Sequence, residues 1–78
     1  MEDIQSRVVS CVSRALQVSE DAVTLNSGQG EMEEWDSFSH ILVLDELDRE
    51  FKGLAGRAPE LGTANSVSEL IAIIGNYD

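Results

Sequence analysis

The sequence predicts a small all-α domain, a bundle of three to four helices with a long loop between the first and second helices. In three separate segments, apolar residues recur every three or four positions, the spacing that places them on one face of a helix. No alternating apolar and polar segment is long enough to predict a strand. The chain has 78 residues, 42% apolar and 26% charged, which suits a single domain over residues 1–78 with a small core.

The first helix is predicted from about Asp3 to Leu16. Its apolar residues follow an i, i+4, i+7 pattern that neither Gly nor Pro interrupts, namely Ile4, Val8, Cys11, Val12, Ala15 and Leu16. Cys11 lies on this apolar face, so we predict a buried thiol that packs as a small hydrophobic side chain. Because it is the only cysteine, neither an intramolecular disulfide nor a cysteine metal cluster is expected.

From Val18 to Trp35, the apolar residues no longer recur at helical spacing. Residues 19–22 fit a single turn, and the polar, glycine-containing run at residues 26–30 is typical of a loop. A loop this long is unusual in a compact domain and is often functional. We expect five apolar side chains to hold it against the bundle: Val18, Val23, Leu25, Met32 and Trp35. The nearby acids Glu31, Glu33, Glu34 and Asp36 lack the ligand order of an EF-hand, so no metal site is predicted.

The second helix is predicted from Ser37 to about Lys52, with Asp36 as its N-terminal cap. At about 100° per residue, its core face comprises Val43, Leu44, Leu47 and Phe51. Three other apolar residues fall largely on the opposite side, near acidic residues: Phe38, Ile41 and Leu42. This separation predicts an exposed docking surface, the alternative being that the long loop covers these residues.

Residues 53–65 form the least regular part of the chain. Three glycines break any long helix there, so we predict a short turn or two anchored by Leu54 and Leu61. The last helix begins at a capping box formed by Ser66 and Glu69. Its apolar stripe comprises Val67, Leu70, Ile71 and Ile74, and its predicted end is Gly75-Asn76.

The charge limits the classes of partner. Fifteen acidic residues against five basic ones give a net charge of -10, which disfavours nucleic acid and anionic membranes and favours basic protein surfaces. No apolar segment approaches the ~20 residues that span a bilayer. The start, Met1-Glu2-Asp3, lacks the basic region of a signal peptide. We therefore expect a cytoplasmic protein, and a monomer.

Ser37 is the residue best placed for a chemical role. It occupies the first helical position, where unpaired N–H groups and the positive end of the helix dipole favour an anion. A hydroxyl at this position is well placed to carry a phosphate.

Trp35-Asp36-Ser37-Phe38, at the start of an acidic amphipathic helix midway along a helical chain, resembles the motif of an acyl carrier protein. The similarity extends over essentially the whole chain, from the first helix and long loop to the capped last helix. It implies that a phosphopantetheinyl transferase moves 4'-phosphopantetheine from coenzyme A onto Ser37. The thiol of that arm would then carry acyl or aminoacyl groups as thioesters between enzymes. The resemblance implies no catalytic residue, and it gives Asp36 a supporting role, holding magnesium in the transferase complex.

In this family, the second helix is recognised by basic residues of partner enzymes, including loading enzymes and downstream synthases. The resemblance therefore assigns to partner docking the residues Phe38, Ile41, Leu42, Asp45, Glu46 and Asp48. Phe38 stands where Leu or Met is common, and Leu42 and Arg49 stand where housekeeping carriers tend to have acids. Trp35 before Asp36 and His40-Ile41 after it look more similar to carriers of polyketide, nonribosomal-peptide or other specialised pathways. A housekeeping fatty-acid carrier is the alternative.

Two other classes of function compete with a carrier. Ser37 and His40, the only histidine, lie three apart on one helix, as a hydrolase pair could. A hydrolase also needs an orienting acid, an oxyanion hole and a pocket, and the helix spacing turns His40 toward the core. An acidic interaction module without a cofactor would account for the charge and the apolar cluster. It would not account for Asp36-Ser37 at the head of the helix.

Overall fold

Within residues 3–77, four helices form a small bundle, as predicted from the sequence. The computed structural model describes residues 3–77, apart from the side chain of Ala55. The helices are α1 (Ile4–Leu16), α2 (Ser37–Glu50), α3 (Leu54–Arg57) and α4 (Val67–Tyr77), with short 3₁₀ turns at Glu20–Ala22 and Pro59–Thr63. Strands are absent from this part of the chain, and the all-α prediction is confirmed. The predicted domain also includes Met1, Glu2 and Asp78, which lie outside the described residues.

Helix α1 packs chiefly against α2 and also contacts α4. The Asp3 side chain caps it by accepting the Ser6 N–H at 2.8 Å. Its predicted apolar face is confirmed, since Val8, Cys11, Val12 and Leu16 are all buried. Ion pairs between the two helices lie at the edge of the α1–α2 contact.

One of these ion pairs joins Arg7 of α1 to Glu50 of α2. Arg7 Nε lies 2.8 Å from Glu50 Oε2, and the Arg7 guanidinium carbon lies 4.2 Å from the centre of the Phe51 ring. The Arg7 guanidinium is attracted both to the face of the Phe51 ring and to the Glu50 carboxylate. Together these contacts fix the C-terminal end of α2 against α1.

The predicted core face of α2 is largely confirmed. Val43, Leu47 and Phe51 are buried, and Leu44 packs half-buried against the core. The helix ends at Glu50, two residues before the predicted end. Lys52 adopts a positive φ of 41°, which a helix cannot continue through.

The irregular segment between α2 and α4 follows the prediction of short turns. Gly53, at a φ of 78°, precedes the single turn of α3, and Pro59 begins the 3₁₀ turn. Leu54 and Leu61 are both 1% exposed, so the predicted anchors are confirmed. Both turns of this segment pack against α2, and Leu61 O of the 3₁₀ turn lies 2.9 Å from His40 Nε2 in the first turns of that helix.

Helix α4 begins at the predicted capping box. Ser66 Oγ accepts the Glu69 N–H at 3.3 Å, and Glu69 Oε1 accepts the Asn65 N–H at 3.3 Å. The predicted end at Gly75-Asn76 is wrong, because α4 continues to Tyr77. Gly75 does not take the left-handed conformation by which a glycine commonly ends a helix.

The long loop is held to the N-terminus of α4 by backbone hydrogen bonds. The Val67 N–H donates to Ser27 O at 2.9 Å, and the Gln29 N–H donates to Asn65 O at 3.0 Å. Gly28 and Ser66 form an isolated antiparallel bridge between these bonds. The loop thus crosses close above the start of α4 before it turns back toward α2.

Side-chain burial along the loop follows the prediction at four of five positions. Val23 and Trp35 are buried, and Val18 and Met32 pack half-buried on the core. The prediction is wrong for Leu25, which is 44% exposed. Its carbonyl oxygen accepts the Ser68 N–H at 3.1 Å, so the backbone makes the contact while the side chain stays outside. Among residues 3–77, no helix is long and apolar enough to cross a membrane.

Candidate functional site

The start of α2 presents Ser37 as an exposed hydroxyl at the first helical position. Asp36 takes extended backbone angles (φ -109°, ψ -173°), and its Oδ1 accepts the Ser39 N–H at 2.8 Å. The His40 N–H donates to Asp36 O at 2.9 Å, the first hydrogen bond of the helix. The predicted cap is therefore confirmed, and it places Ser37 at the boundary between loop and helix.

An anion on Ser37 would meet a favourable field. The first N–H groups of a helix lack intrahelical acceptors. In α2, the Asp36 carboxylate accepts a hydrogen bond from one of them, the Ser39 N–H. The N–H groups of Ser37 and Phe38 come before the Ser39 N–H in the first turn, at the positive end of the α2 dipole. A phosphate ester on the Ser37 hydroxyl would lie within reach of these donors.

Hydrogen bonds lower the pKa of the Asp36 carboxyl below its ordinary value of 3.8. The chief cause is donation from the Ser39 backbone N–H, followed by the Ser39 side chain. Both favour the charged carboxylate. Asp36 therefore caps α2 in its ionised form at neutral pH.

This shift predicts a pH dependence of the cap. Because the folded-state pKa is depressed, the contribution to stability is complete above the unfolded value of 3.8 and is lost as pH falls through the lower folded value. We expect NMR titration of the Asp36 carboxyl carbon to give a pKa below 3.8. In Asp36→Asn, which keeps a side-chain oxygen but cannot ionise, the acid-induced loss of this cap should vanish. A titration at or above 3.8 would contradict the capping geometry.

Beside Ser37 lies an open groove of about 530 Å³. It runs along the end of the long loop and is lined by Gln29, Gly30, Glu31, Met32, Glu33, Trp35, Asp36 and Ser37. Two bonds fold this stretch into successive turns, the Met32 N–H to Gly28 O at 3.0 Å and the Trp35 N–H to Met32 O at 3.1 Å. The groove therefore has hydrogen-bonded turns along its wall, and Ser37 is among the residues that line it.

Trp35 and His40 form a buried hydrogen-bonded pair beneath this groove. Trp35 Nε1 donates to His40 Nδ1 at 3.0 Å, and His40 Nε2 lies 2.9 Å from Leu61 O. Trp35 is 1% exposed and His40 4%. An indole N–H can only donate and a carbonyl oxygen can only accept, so His40 is neutral with its proton on Nε2. The sequence predicted a partly buried polar contact for His40, and the structure buries the ring almost completely.

This pairing occupies both ring nitrogens of His40. The ring centroids of Trp35 and His40 lie 5.9 Å apart with planes 22° apart, which is an edge-to-edge arrangement along the hydrogen bond. Neither nitrogen is left to take a proton from Ser37. The arrangement lacks the Ser–His contact that a hydrolase would require.

The three residues predicted as a docking surface are exposed on α2. Phe38 is 70% exposed, Ile41 62% and Leu42 40%, so the loop does not cover them. These three residues are called the α2 apolar patch below. Together they form a contiguous group on the first turns of α2, next to Ser37.

The three acids assigned to docking have different surroundings. Asp45 is exposed and lies 3.1 Å from Arg49 one turn on, an exposed pair that is worth little to stability. Glu46 lies toward α1, where its Oε1 is 3.1 Å from Arg14 Nε. Asp48 is half-buried. Of these three acids, Asp45 is therefore the most exposed on α2.

Other candidate groups are accounted for by packing. Within residues 3–77, no set of three or more His, Cys, Asp or Glu side chains could hold a metal ion. Cys11 is fully buried, as predicted, and burial raises the pKa of its thiol to about 11. A thiol with this pKa is protonated at neutral pH and unreactive.

Two features of the site were not predicted from the sequence. The groove depends on the turns of residues 28–35, and no side-chain pattern specifies those turns. The Trp35–His40 bond had a usable signal, because a buried tryptophan needs an acceptor for its N–H and His40 follows one helical turn into α2. No family model, curated protein or solved structure matches this chain.

Proposed function

We propose that this chain is a carrier protein whose Ser37 bears a 4'-phosphopantetheine arm. The observation that carries the proposal is an exposed hydroxyl at the first position of an Asp36-capped helix. In the proposed reaction, Ser37 Oγ attacks the β-phosphorus of coenzyme A. A new P–O bond forms, adenosine 3',5'-bisphosphate leaves, and the hydroxyl proton passes to the transferase. The arm then carries acyl or aminoacyl thioesters to partner enzymes.

The local electrostatics support a phosphodiester on Ser37. The N-terminal N–H groups and dipole of α2 attract its negative charge. The Asp36 carboxylate opposes it, but that carboxylate is directed to the Ser39 N–H at 2.8 Å. Phosphate on Ser37 therefore gains the favourable helix field while the cap remains in place.

The groove beside Ser37 supports a flexible arm. Its volume of about 530 Å³ lies within the range of small-molecule sites, about 300–1,000 Å³. Half-buried Met32 lines the groove together with the loop residues Gln29, Gly30 and Glu31. The arm could lie along this wall between transfers and leave it readily, because the groove is open.

The α2 apolar patch and the charge support recognition by basic partner enzymes. Exposed Phe38 and Ile41 adjoin the attachment point, and the net charge of -10 would steer a cationic surface toward the domain. The departures at Phe38, Leu42 and Arg49 from the housekeeping pattern support a specialised pathway, such as polyketide or nonribosomal-peptide synthesis.

Removing the patch should slow modification without unfolding the domain. In Phe38→Ser/Ile41→Ser we expect transferase-catalysed modification to slow about tenfold or more, since interface anchors commonly contribute over about 1.4 kcal/mol. Leu25→Ser is the matched control, because Leu25 is 44% exposed but lies in the long loop, outside the α2 apolar patch. Rates by mass spectrometry and thermal unfolding of all three proteins check this. Equal rates for both variants would contradict docking at the patch.

The direct test is intact-mass spectrometry after incubation with coenzyme A, magnesium and a broad-specificity transferase. We expect a gain of one phosphopantetheine, about 340 Da. No gain would favour the acidic interaction module, which also accounts for the exposed patch. Turnover of activated esters by the unmodified protein, abolished in Ser37→Ala, would favour a hydrolase.

A further inference from the structure

Hydrogen bonds close a short segment of the chain on itself, and Ser37 lies inside that segment. It begins at Trp35, whose indole N–H donates to His40 Nδ1 at its other end, across 3.0 Å. Between these ends, the His40 N–H donates to Asp36 O at 2.9 Å, and Asp36 Oδ1 accepts the Ser39 N–H at 2.8 Å. The chain is therefore tied on both sides of Ser37, which takes part in none of these three bonds.

The other ring nitrogen of His40 holds this closed segment to the core. His40 Nε2 donates to Leu61 O at 2.9 Å, a carbonyl of the 3₁₀ turn at Pro59–Thr63. Trp35 and Leu61 are each 1% exposed, and His40 is 4% exposed. A buried donor or acceptor that loses its partner is costly, because water does not reach it to replace the bond. One imidazole therefore joins the end of the long loop, the first turns of α2 and the 3₁₀ turn.

We propose that His40 is a positioning residue for the modification of Ser37, an inference that rests on the proposed carrier function. By joining Trp35 to Leu61, the ring fixes the path of the chain on the loop side of Ser37, while the Asp36 cap fixes it on the helix side. The Ser37 hydroxyl is then presented to the transferase in one orientation. Both nitrogens of His40 are bonded elsewhere, so it acts through Trp35 and not by contact with the reacting atoms.

Four variants separate positioning from general stability. Trp35→Phe keeps a buried aromatic ring and removes the indole N–H, so that only His40 Nδ1 loses its partner. His40→Leu removes both ring bonds, whereas the amide of His40→Gln supplies one acceptor and one donor and should restore them. Val43→Ala is the control for lost stability, because Val43 is buried on α2 one turn beyond His40 and its side chain makes none of these bonds.

The position of Ser37 can be tested in the unmodified protein. We expect ¹⁵N relaxation to give the Ser37 N–H of the wild type an order parameter of about 0.85, as for rigid backbone, and a value falling toward about 0.6 in Trp35→Phe and His40→Leu. His40→Gln and Val43→Ala should keep the wild-type value. If Trp35→Phe also keeps it, or if Val43→Ala loses it equally, the proposal is overturned. Trp35→Phe decides the test if His40→Leu does not fold.

A second measurement follows the rate of modification by intact mass, with this protein as the varied substrate. The α2 apolar patch is unchanged in all four variants, so KM should stay within about twofold of the wild type, while kcat falls about tenfold in Trp35→Phe and His40→Leu. In His40→Gln and Val43→Ala, kcat should stay close to the wild-type value.

Three kinetic results would overturn the positioning role: equal kcat in all variants, a raised KM at unchanged kcat, or a His40→Gln variant as slow as His40→Leu. These results leave the proposed carrier function intact, because Ser37 is still modified. If the wild type gains no mass, the carrier function fails, and the order parameters still decide whether His40 fixes the position of Ser37.

Discussion

Replacing Ser37 with alanine should abolish the gain of about 340 Da that coenzyme A and a transferase give the wild-type protein. The loss should be complete, because the hydroxyl oxygen is the atom that forms the new bond to phosphorus. Ser37 is exposed and its side chain supports no packing, so the variant should fold as stably as the wild type, within about 0.5 kcal/mol.

Ser39→Ala is the matched control for this substitution. Ser39 lies two residues further along α2. Alanine retains its backbone N–H, the chief donor to the Asp36 cap, and loses the weaker side-chain contact. This variant should therefore gain the full mass at a rate close to that of the wild type. Modification that persists in Ser37→Ala, or that vanishes in Ser39→Ala alone, would place the attachment point elsewhere and remove the basis of the proposed function.

Side-chain patterns were sufficient to predict the long helices and their buried faces. In α1 and α2, the residues on the predicted core faces are buried or half-buried. A helix with one apolar stripe buries that stripe by packing it against the other helices. The same reasoning placed Asp36 at the cap and left the α2 apolar patch outside. These features depend on residue types at fixed helical spacing, which the sequence displays directly.

Backbone contacts between distant segments could not be predicted in this way. Leu25 was expected to pack on the bundle, but its carbonyl oxygen, and not its side chain, binds the start of α4. Every residue type has the same backbone carbonyl, so the pattern of side chains in the sequence cannot predict this backbone hydrogen bond. The groove beside Ser37 has the same origin, since the turns of residues 28–35 shape it.

Glu46 shows a related limit for charged residues. The resemblance to acyl carrier proteins placed it among the docking acids, whereas the structure pairs it with Arg14 of α1 at 3.1 Å. Spacing along one helix gives the direction of a side chain. Whether a basic residue of another helix stands there depends on how the helices pack.

Gly28→Ala should be among the most destabilising single substitutions in this chain. A Cβ at residue 28 would overlap the carbonyl oxygen of Asn65 and come within 2.9 Å of Ser66 Cα. Both are backbone atoms, so no rotation of a side chain can relieve the overlap. The loop must move away from α4, which weakens the bonds of Gln29 to Asn65 and of Val67 to Ser27.

We expect a cost of about 2–4 kcal/mol, from forced overpacking together with weakened hydrogen bonds. A domain of this size has a total stability of only about 4–12 kcal/mol, so much of it would be lost. Denaturant unfolding followed by circular dichroism measures this cost. Since the displaced loop also forms the groove and carries Trp35, the variant should show red-shifted tryptophan emission while still folded.

Gly75→Ala is the control for this prediction. It measures the general effect of replacing a glycine with alanine, without the steric overlap between the loop and α4 that is expected at residue 28. Gly75 lies within α4, has no atom within 4 Å of its would-be Cβ and takes no positive φ. Alanine there should stabilise the domain by up to about 1 kcal/mol, because it reduces the conformational freedom of the unfolded chain. The two glycine variants should thus change stability in opposite directions. If Gly28→Ala unfolds at the same denaturant concentration as the wild type, the loop does not cross α4 at this distance, and the groove beside Ser37 must be shaped differently.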